Sequence, residues 1–209
     1  MTNHNKIIIG LYGLPGAGKD SVFNFIKAKE PGAEKVSFAE PLRHYCAQLM
    51  GEPYSRFTDP ALKDTPHIFN IAGVPVTTTP REILIAVGTG FVRAIKSDLW
   101  IRKAEQIILS SSAPVLVFTD MRFPNEIEWL RNLDNLEDIR TVLVKVVRRG
   151  YVPPSSNAVS EGLLENYAYH KTLFAYNLIE LEKEVSKMWE AVISLTKGDK
   201  REVNTEETR

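Results

Sequence analysis

IIIGLYGLPGAGKDSVFNFIKAK, residues 7–29, is the stretch on which the fold turns. Ile7 to Tyr12 is a short apolar run rich in β-branched residues, closed by Gly13 and Pro15, and it reads as a buried parallel strand. From Asp20 to Lys29 the apolar positions Val22, Phe23, Phe25 and Ile26 repeat at helical spacing until Pro31-Gly32 stops them. Between strand and helix stands Gly13-Leu-Pro-Gly-Ala-Gly-Lys19, a phosphate-binding loop pattern with Asp20 where Ser or Thr is usual and Ser21 directly after. Gly13, Gly16 and Gly18 let the backbone curl so that successive N–H groups, Ala17 among them, face phosphate oxygens, and the helix adds its positive end. Lys19 brings a mobile point charge to the β and γ phosphates of ATP. A carboxylate beside a polyanion is repulsive unless a cation lies between them. Asp20, with Ser21 as a second oxygen, therefore points to Mg²⁺ held directly or through water. The plainer role open to Asp20 is to complement the helix N-terminus.

The rhythm continues outward from that unit. Val36 to Ala39 reads as a second strand, and Pro41 to Met50 as a helix that Gly51 ends. Residues 52 to 80 carry five prolines and the β-prone stretch Val74 to Thr79, which predicts an irregular, substrate-facing insertion holding a hairpin. Arg81 to Ile95 and Asp98 to Leu109 show helical periodicity, with Asp98 as N-cap of the second. Pro114 to Thr119 is a strand running into Asp120, Pro124 to Leu133 a helix, and Arg140 to Val147 a strand leading to Arg148 and Arg149. Gly150 to Val159 predicts a surface loop, Ala175 to Ile179 a last strand, Leu181 to Leu195 a helix, and Gly198 to Arg209 a charged, flexible tail. The expected architecture is α/β: a three-layer P-loop NTPase fold with a central, mainly parallel sheet, occupying residues 1–197.

Composition bounds the function. With 209 residues the chain fits one domain, and 44% apolar with 25% charged residues is a globular balance. Lys plus Arg and Asp plus Glu stand at 26 each, so no bulk positive field exists to bind polymeric nucleic acid. Cys46 is the single cysteine, which excludes an internal disulfide and a thiolate cluster and suits a reducing cytoplasm. The apolar run at residues 7–12 is too short for a membrane span. No Ser/His/Asp grouping supports hydrolase chemistry, and His67 and His170 are isolated.

Several polar residues fall where ligands of parallel sheets gather. Asp120 ends the strongest apolar strand, and Arg122 and Glu126 are placed to share its crevice; a helix N-cap and an exposed Arg122–Glu126 pair are the plainer alternatives. Arg148 and Arg149 sit at a strand end, suited to clamping a transferring phosphoryl group. Arg43, Arg81 and Arg93 are candidates to grip an acceptor phosphate, since guanidinium binds it bidentately. Trp100 fits either base stacking or the core.

The segments GLPGAGKDS, PREILIAVGTGFVR followed by DLW, VFTDMRFPNE and KVVRR resemble the bacteriophage-type deoxynucleoside monophosphate kinases, within the wider P-loop nucleoside monophosphate kinase group, across most of residues 6 to 180. The resemblance implies transfer of the ATP γ-phosphoryl group, with Mg²⁺, to a deoxynucleoside 5′-monophosphate. It implies an acceptor-binding insertion at about residues 40–80 and a lid at about 148–170, Arg148 acting with Lys19 and Asp20 in catalysis. Arg81, Gly88, Thr89, Trp100, Asp120 and Arg122 would surround the acceptor nucleotide, Lys63 would reach its phosphate, and Ser160-Glu161 would match a pair beyond the lid arginine. A small-molecule nucleotide substrate follows, and kinases of this size also form homodimers. The chain departs from the family after Arg149, and the usual Asn-Asp-Gly near the last strand is reduced to Asn177. Two other readings fit the glycine loop: a P-loop kinase for another small acceptor, of the dephospho-coenzyme A or phosphomevalonate type, and a nucleotide-dependent switch module.

Overall fold

The computed structural model describes residues 6–136, 138–152 and 162–198. Strand β1 (Lys6–Tyr12) leads through the glycine loop into helix α1 (Lys19–Lys29), followed by β2 (Glu34–Val36) and α2 (Glu40–Met50). The next segment holds two short helices, α3 (Ser55–Thr58) and α4 (Pro60–Lys63), and a hairpin of β3 (His67–Ile71) and β4 (Val74–Thr78). Helix α5 (Pro80–Ile85) runs into a π-helical stretch (Ala86–Val92) and α6 (Arg93–Ile95). Then come α7 (Leu99–Ser110), β5 (Val115–Phe118), α8 (Pro124–Leu133), β6 (Ile139–Arg148), β7 (Lys171–Ala175) and α9 (Leu178–Gly198).

Five strands form one sheet in the order β2-β5-β1-β6-β7, and all four ladders are parallel. Alternation along β1 sends Ile7, Ile9 and Leu11 to one face, where α1 and α9 supply Val22, Ile26, Leu181, Val185 and Trp189. Ile8 and Tyr12 face the other way, into a core with Leu42, Trp100, Ile127 and Leu130 from α2, α7 and α8. The expected three-layer α/β architecture is therefore the one observed. The segment at 52–80 is not a separate body: Phe57 and Phe69 are fully buried and join the core that contains Leu42 and Cys46. No helix among the described residues is long and apolar enough to cross a membrane.

Where boundaries differ from the sequence reading, side-chain bonds to the backbone decide. The second strand ends at Val36, not Ala39, because Asp120 draws the following turn out of the ladder. Its carboxylate accepts from Ser37 Oγ at 2.5 Å, Phe38 N at 3.0 Å and Ala39 N at 3.0 Å. The last strand lies at 171–175 rather than 175–179, because Asn177 starts a helix there: its Oδ1 accepts from Glu180 N at 2.9 Å, and Glu180 accepts from Tyr176 N at 3.0 Å. The 81–95 helix contains a π-helical turn over the segment that includes Gly88 and Gly90. Asp98 precedes α7 without a side-chain cap, since its carboxylate is drawn to Arg102 and Lys96. The loop at 150–159 and the tail at 198–209 fall largely outside the described residues.

Phe38, Phe118 and Trp129 form an aromatic cluster, with Phe118 lying 4.9 Å from Phe38 and 5.5 Å from Trp129 between centroids. Phe118 is fully buried on β5, directly before Thr119 and Asp120. Phe118→Ala should cost about 3–5 kcal/mol in a urea titration. A loss below about 1 kcal/mol would mean that the cluster does not anchor this strand end.

Candidate functional site

The glycine loop lies at the C-terminal edge of the sheet, between β1 and α1. Gly16 and Gly18 have φ of 78° and 102°, values at which a Cβ is strained, so the curl of the loop requires both. Lys19 Nζ donates to the carbonyl oxygens of Gly13 and, at 3.2 Å, of Leu14, which holds the ammonium within the curl. Ala17 is buried beneath it. Ser21 sits partly exposed in the first turn of α1. Asp20 is exposed and pairs with Lys35 on β2 at 2.5 Å. Among the described residues no group of three His, Cys, Asp or Glu is assembled for a metal. Asp20 and Ser21 are neighbours in the first turn of α1, and an ion such as Mg²⁺, which keeps several waters and leans on substrate phosphates, needs few protein oxygens.

Beside the loop, a small crevice is walled by Lys19, Tyr12, Asp120, Arg122 and Gly162. Asp120 and Arg122 also line a larger cavity of about 120 Å³ reaching down to α2, α4 and the π-helical stretch. Arg43, Lys63, Arg81, Gly88, Thr89, Arg93, Trp100 and Glu126 share that cavity, so the structure brings together every acceptor-side residue expected from the sequence. Five of the lining side chains are cations. Arg43 pairs with Glu40 at 3.2 Å, Arg81 pairs with Asp64 through two bonds, and Arg93 pairs with Glu126. Among the described residues neither the Lys63 ammonium nor the Arg122 guanidinium has an ion pair or hydrogen bond of its own. Burial lowers the Lys63 pKa, and Arg81, Arg43 and Arg122 add to the effect against the pull of Asp64. Such a cluster favours a multiply charged anion.

Several of these residues differ in detail from their expected roles. Glu126 does not pair with the Arg122 side chain; it is 1% exposed, and its oxygens accept from Arg93, Arg122 N at 2.7 Å and Phe123 N at 3.1 Å. It is an internal anchor. Arg93 is likewise held inward, its guanidinium 3.6 Å over the Phe123 ring and bonded to Ser97 O at 3.1 Å. Asp120 is not the N-cap of α8, since its carboxylate is spent on residues 37–39. Trp100 is a core residue whose Nε1 donates to Gly88 O at 3.3 Å, so only its edge reaches the cavity. A Cβ on Gly88 would lie 2.4 Å from a Leu42 methyl, so a side chain there would have to displace Leu42.

Arg148 lies on the other flank of the loop. It borders a cavity of about 110 Å³ with Gly13, Ala17, Lys145, Tyr151 and Glu165, and its guanidinium stands 4.8 Å from the Tyr151 ring. Arg149 turns away toward β7, between Phe174 at 4.9 Å and Tyr176 at 5.6 Å. Ser160 and Glu161 lie outside the described residues. Sequence reasoning missed Tyr12, Lys145, Tyr151 and Glu165, which flank the loop in space. Tyr12 and Lys145 carry a signal in hindsight, Tyr12 as the polar end of an apolar run and Lys145 as the one cation inside the Val142–Val147 run.

No family model matches the chain. It is similar to the deoxynucleoside-5′-monophosphate kinase of Escherichia phage T5, with 32% identity over 120 residues, an alignment covering 51% of this chain and 48% of that protein. The chain thus spans about half the length of the curated relative it matches. The mainly parallel α/β sheet is that of a P-loop NTPase kinase fold, and the partial likeness is to a kinase.

Burial pushes the Glu126 carboxyl from its ordinary 4.5 up to about 7, against the opposing pull of Arg93. The folded protein therefore keeps a proton that the unfolded chain has released across this range, and stability falls as pH rises through it. Glu126→Gln should flatten that slope in urea titrations between about pH 5 and about pH 8. An unchanged slope would show that Glu126 is ionised throughout.

Proposed function

We propose that this chain phosphorylates deoxynucleoside 5′-monophosphates with ATP, giving the diphosphate and ADP. One observation carries the reading: a cavity rich in basic side chains shares Asp120 and Arg122 as walls with the crevice of the phosphate loop and Lys19. Two phosphate sites joined end to end are what direct phosphoryl transfer between nucleotides requires. The name of the phage T5 relative points to the same substrate class.

In this reading the loop Gly13 to Ser21 binds the donor phosphates, and Lys19 neutralises charge on the transferring group. Lys63, Arg81, Arg43 and Arg122 hold the acceptor phosphate, while Gly88, Thr89, Leu42 and the edge of Trp100 contact the nucleoside. The segment at about 40–80 is the acceptor-binding insertion, and Arg148, at the start of a lid over about 148–170, approaches the phosphoryl group from the opposite flank. A magnesium ion bound with the nucleotide would offset charge on its β and γ phosphates. Asp20 and Ser21 would hold it, because the exposed Asp20–Lys35 pair is weak and exchanges readily. No general base is needed: the acceptor phosphate, with a second pKa near about 6, is largely dianionic at neutral pH. The setting is cytoplasmic.

Each deoxynucleoside and ribonucleoside monophosphate, offered separately with ATP in a coupled ADP-release assay, tests the assignment. Lys19→Ala should lower kcat by about 10²–10³-fold in a folded protein, and Lys63→Met should raise the acceptor KM about tenfold with the ATP affinity unchanged. Turnover only with another small acceptor would move the chain to a different P-loop kinase, and acceptor-independent slow hydrolysis would make it a switch module.

A further inference from the structure

Tyr12 and Lys145 are register partners on β1 and β6, so their side chains stand side by side on one face of the sheet, one residue before Gly13. Both are bound by one carboxylate from a segment distant in sequence. Glu165 Oε2 accepts from Tyr12 Oη at 3.1 Å, and Oε1 accepts from Lys145 Nζ at 2.5 Å. Lys145 Nζ also donates to the Glu165 carbonyl at 2.9 Å. The Tyr12 ring stacks on Tyr169 with centroids 5.9 Å apart, and Tyr169 Oη donates to Leu164 O at 2.6 Å. The Lys145 side chain is only 17% exposed, so its charge is shielded little by water, and its bond to Glu165 is the main reason the Glu165 carboxyl lies below its ordinary range.

We infer that Glu165 is a positioning residue for the phosphate loop: by holding Tyr12 and Lys145 together it fixes the end of β1 from which Gly13 departs, and with it the wall that Gly162 gives to the Lys19 crevice. The placement supports this. Tyr12 lines the cavities on both flanks of the loop, Glu165 lines one, and Gly162, three residues before Glu165, lines the other beside Lys19. The carboxylate also offsets Lys145, so that a second ammonium does not compete with Lys19 for donor phosphates. The inference rests on the kinase reading only for the identity of the donor; the loop geometry it concerns belongs to any nucleotide bound there.

Equilibrium titration of the full chain with a fluorescent ATP analogue tests it without an acceptor. Glu165→Ala should weaken binding about tenfold, and Glu165→Gln, which keeps an oxygen for Tyr12, should weaken it clearly less. Tyr12→Phe, which deletes a single hydroxyl and preserves the ring stack, provides a variant that folds. Combined with Glu165→Ala it should add little further loss, because both changes cut the same bond. Unchanged affinity in a folded Glu165→Ala protein, equal losses in the Ala and Gln variants, or additive losses in the double mutant would each overturn the inference. Wild-type binding of the analogue with no turnover of any acceptor would count against the kinase reading and leave these comparisons intact.

Discussion

Because β1 is paired in parallel on both sides, neither β5 nor β6 is reached from it by a hairpin. Every connection in the sheet must leave at the C-terminal edge and cross a face before returning. The loops that follow β1, β2, β5 and β6 therefore emerge together, which gathers the glycine loop, Ser37 to Ala39, Asp120 to Arg122 and Arg148 to Tyr151 at one edge. Crossings on both faces also bury β1 on both sides, and this is why its sequence is continuously apolar rather than alternating. The crossover after β1 goes toward β2 and the later strands β6 and β7 lie on the other side, so the loop with Lys19 stands where the connections diverge.

Carboxylates then hold that edge in shape. Asp120 binds one hydroxyl and two backbone N–H groups of the β2–α2 turn, fixing the start of the helix that carries Arg43. Glu126 does the same for the turn carrying Arg122, whose backbone it binds while its other oxygen steers Arg93. Asp64 orients Arg81 in a two-bond fork. Each acid lies behind a cation or a turn, so the guanidinium groups of Arg81 and Arg93 are set before any ligand arrives. Preset donors lose less conformational freedom on binding than free side chains do.

The sheet, the loop and several arginines that line the cavity were legible because their signals are local. A β-branched run ending in a glycine loop, or arginines at helical spacing after Thr79-Pro80, can be read from a few neighbouring residues. What escaped was set by partners far away in sequence. Asp120 shortens β2 across more than eighty positions, and Glu165 reaches β1 across 153. The acceptor-side assignment of Glu126 illustrates the same limit. Sequence placed it at the right turn, but only the fold shows it sealed at 1% exposure with both oxygens committed. Trp100 went similarly, its periodic position deciding for the core once Gly88 took its N–H.

The electrostatics of the cavity bear on its chemistry. Lys63 is half-buried, and its desolvation together with Arg81, Arg43 and Arg122 disfavours its charged form. An anion entering the cavity relieves that repulsion, so binding and protonation of Lys63 reinforce one another by linkage. A neutral ligand offers no such relief and would leave the cations facing one another. A single negative charge would meet only part of the field set up by Lys63 and Arg122, the two cavity-lining cations without ion partners among the described residues. A phosphate dianion, the acceptor group of the proposed reaction, would meet both charges. The nearest carboxylates are already engaged with donors, which leaves the cations to face an incoming ligand. The proposed phosphoryl transfer would draw on that arrangement, since alignment and neutralisation do most of the work in such chemistry.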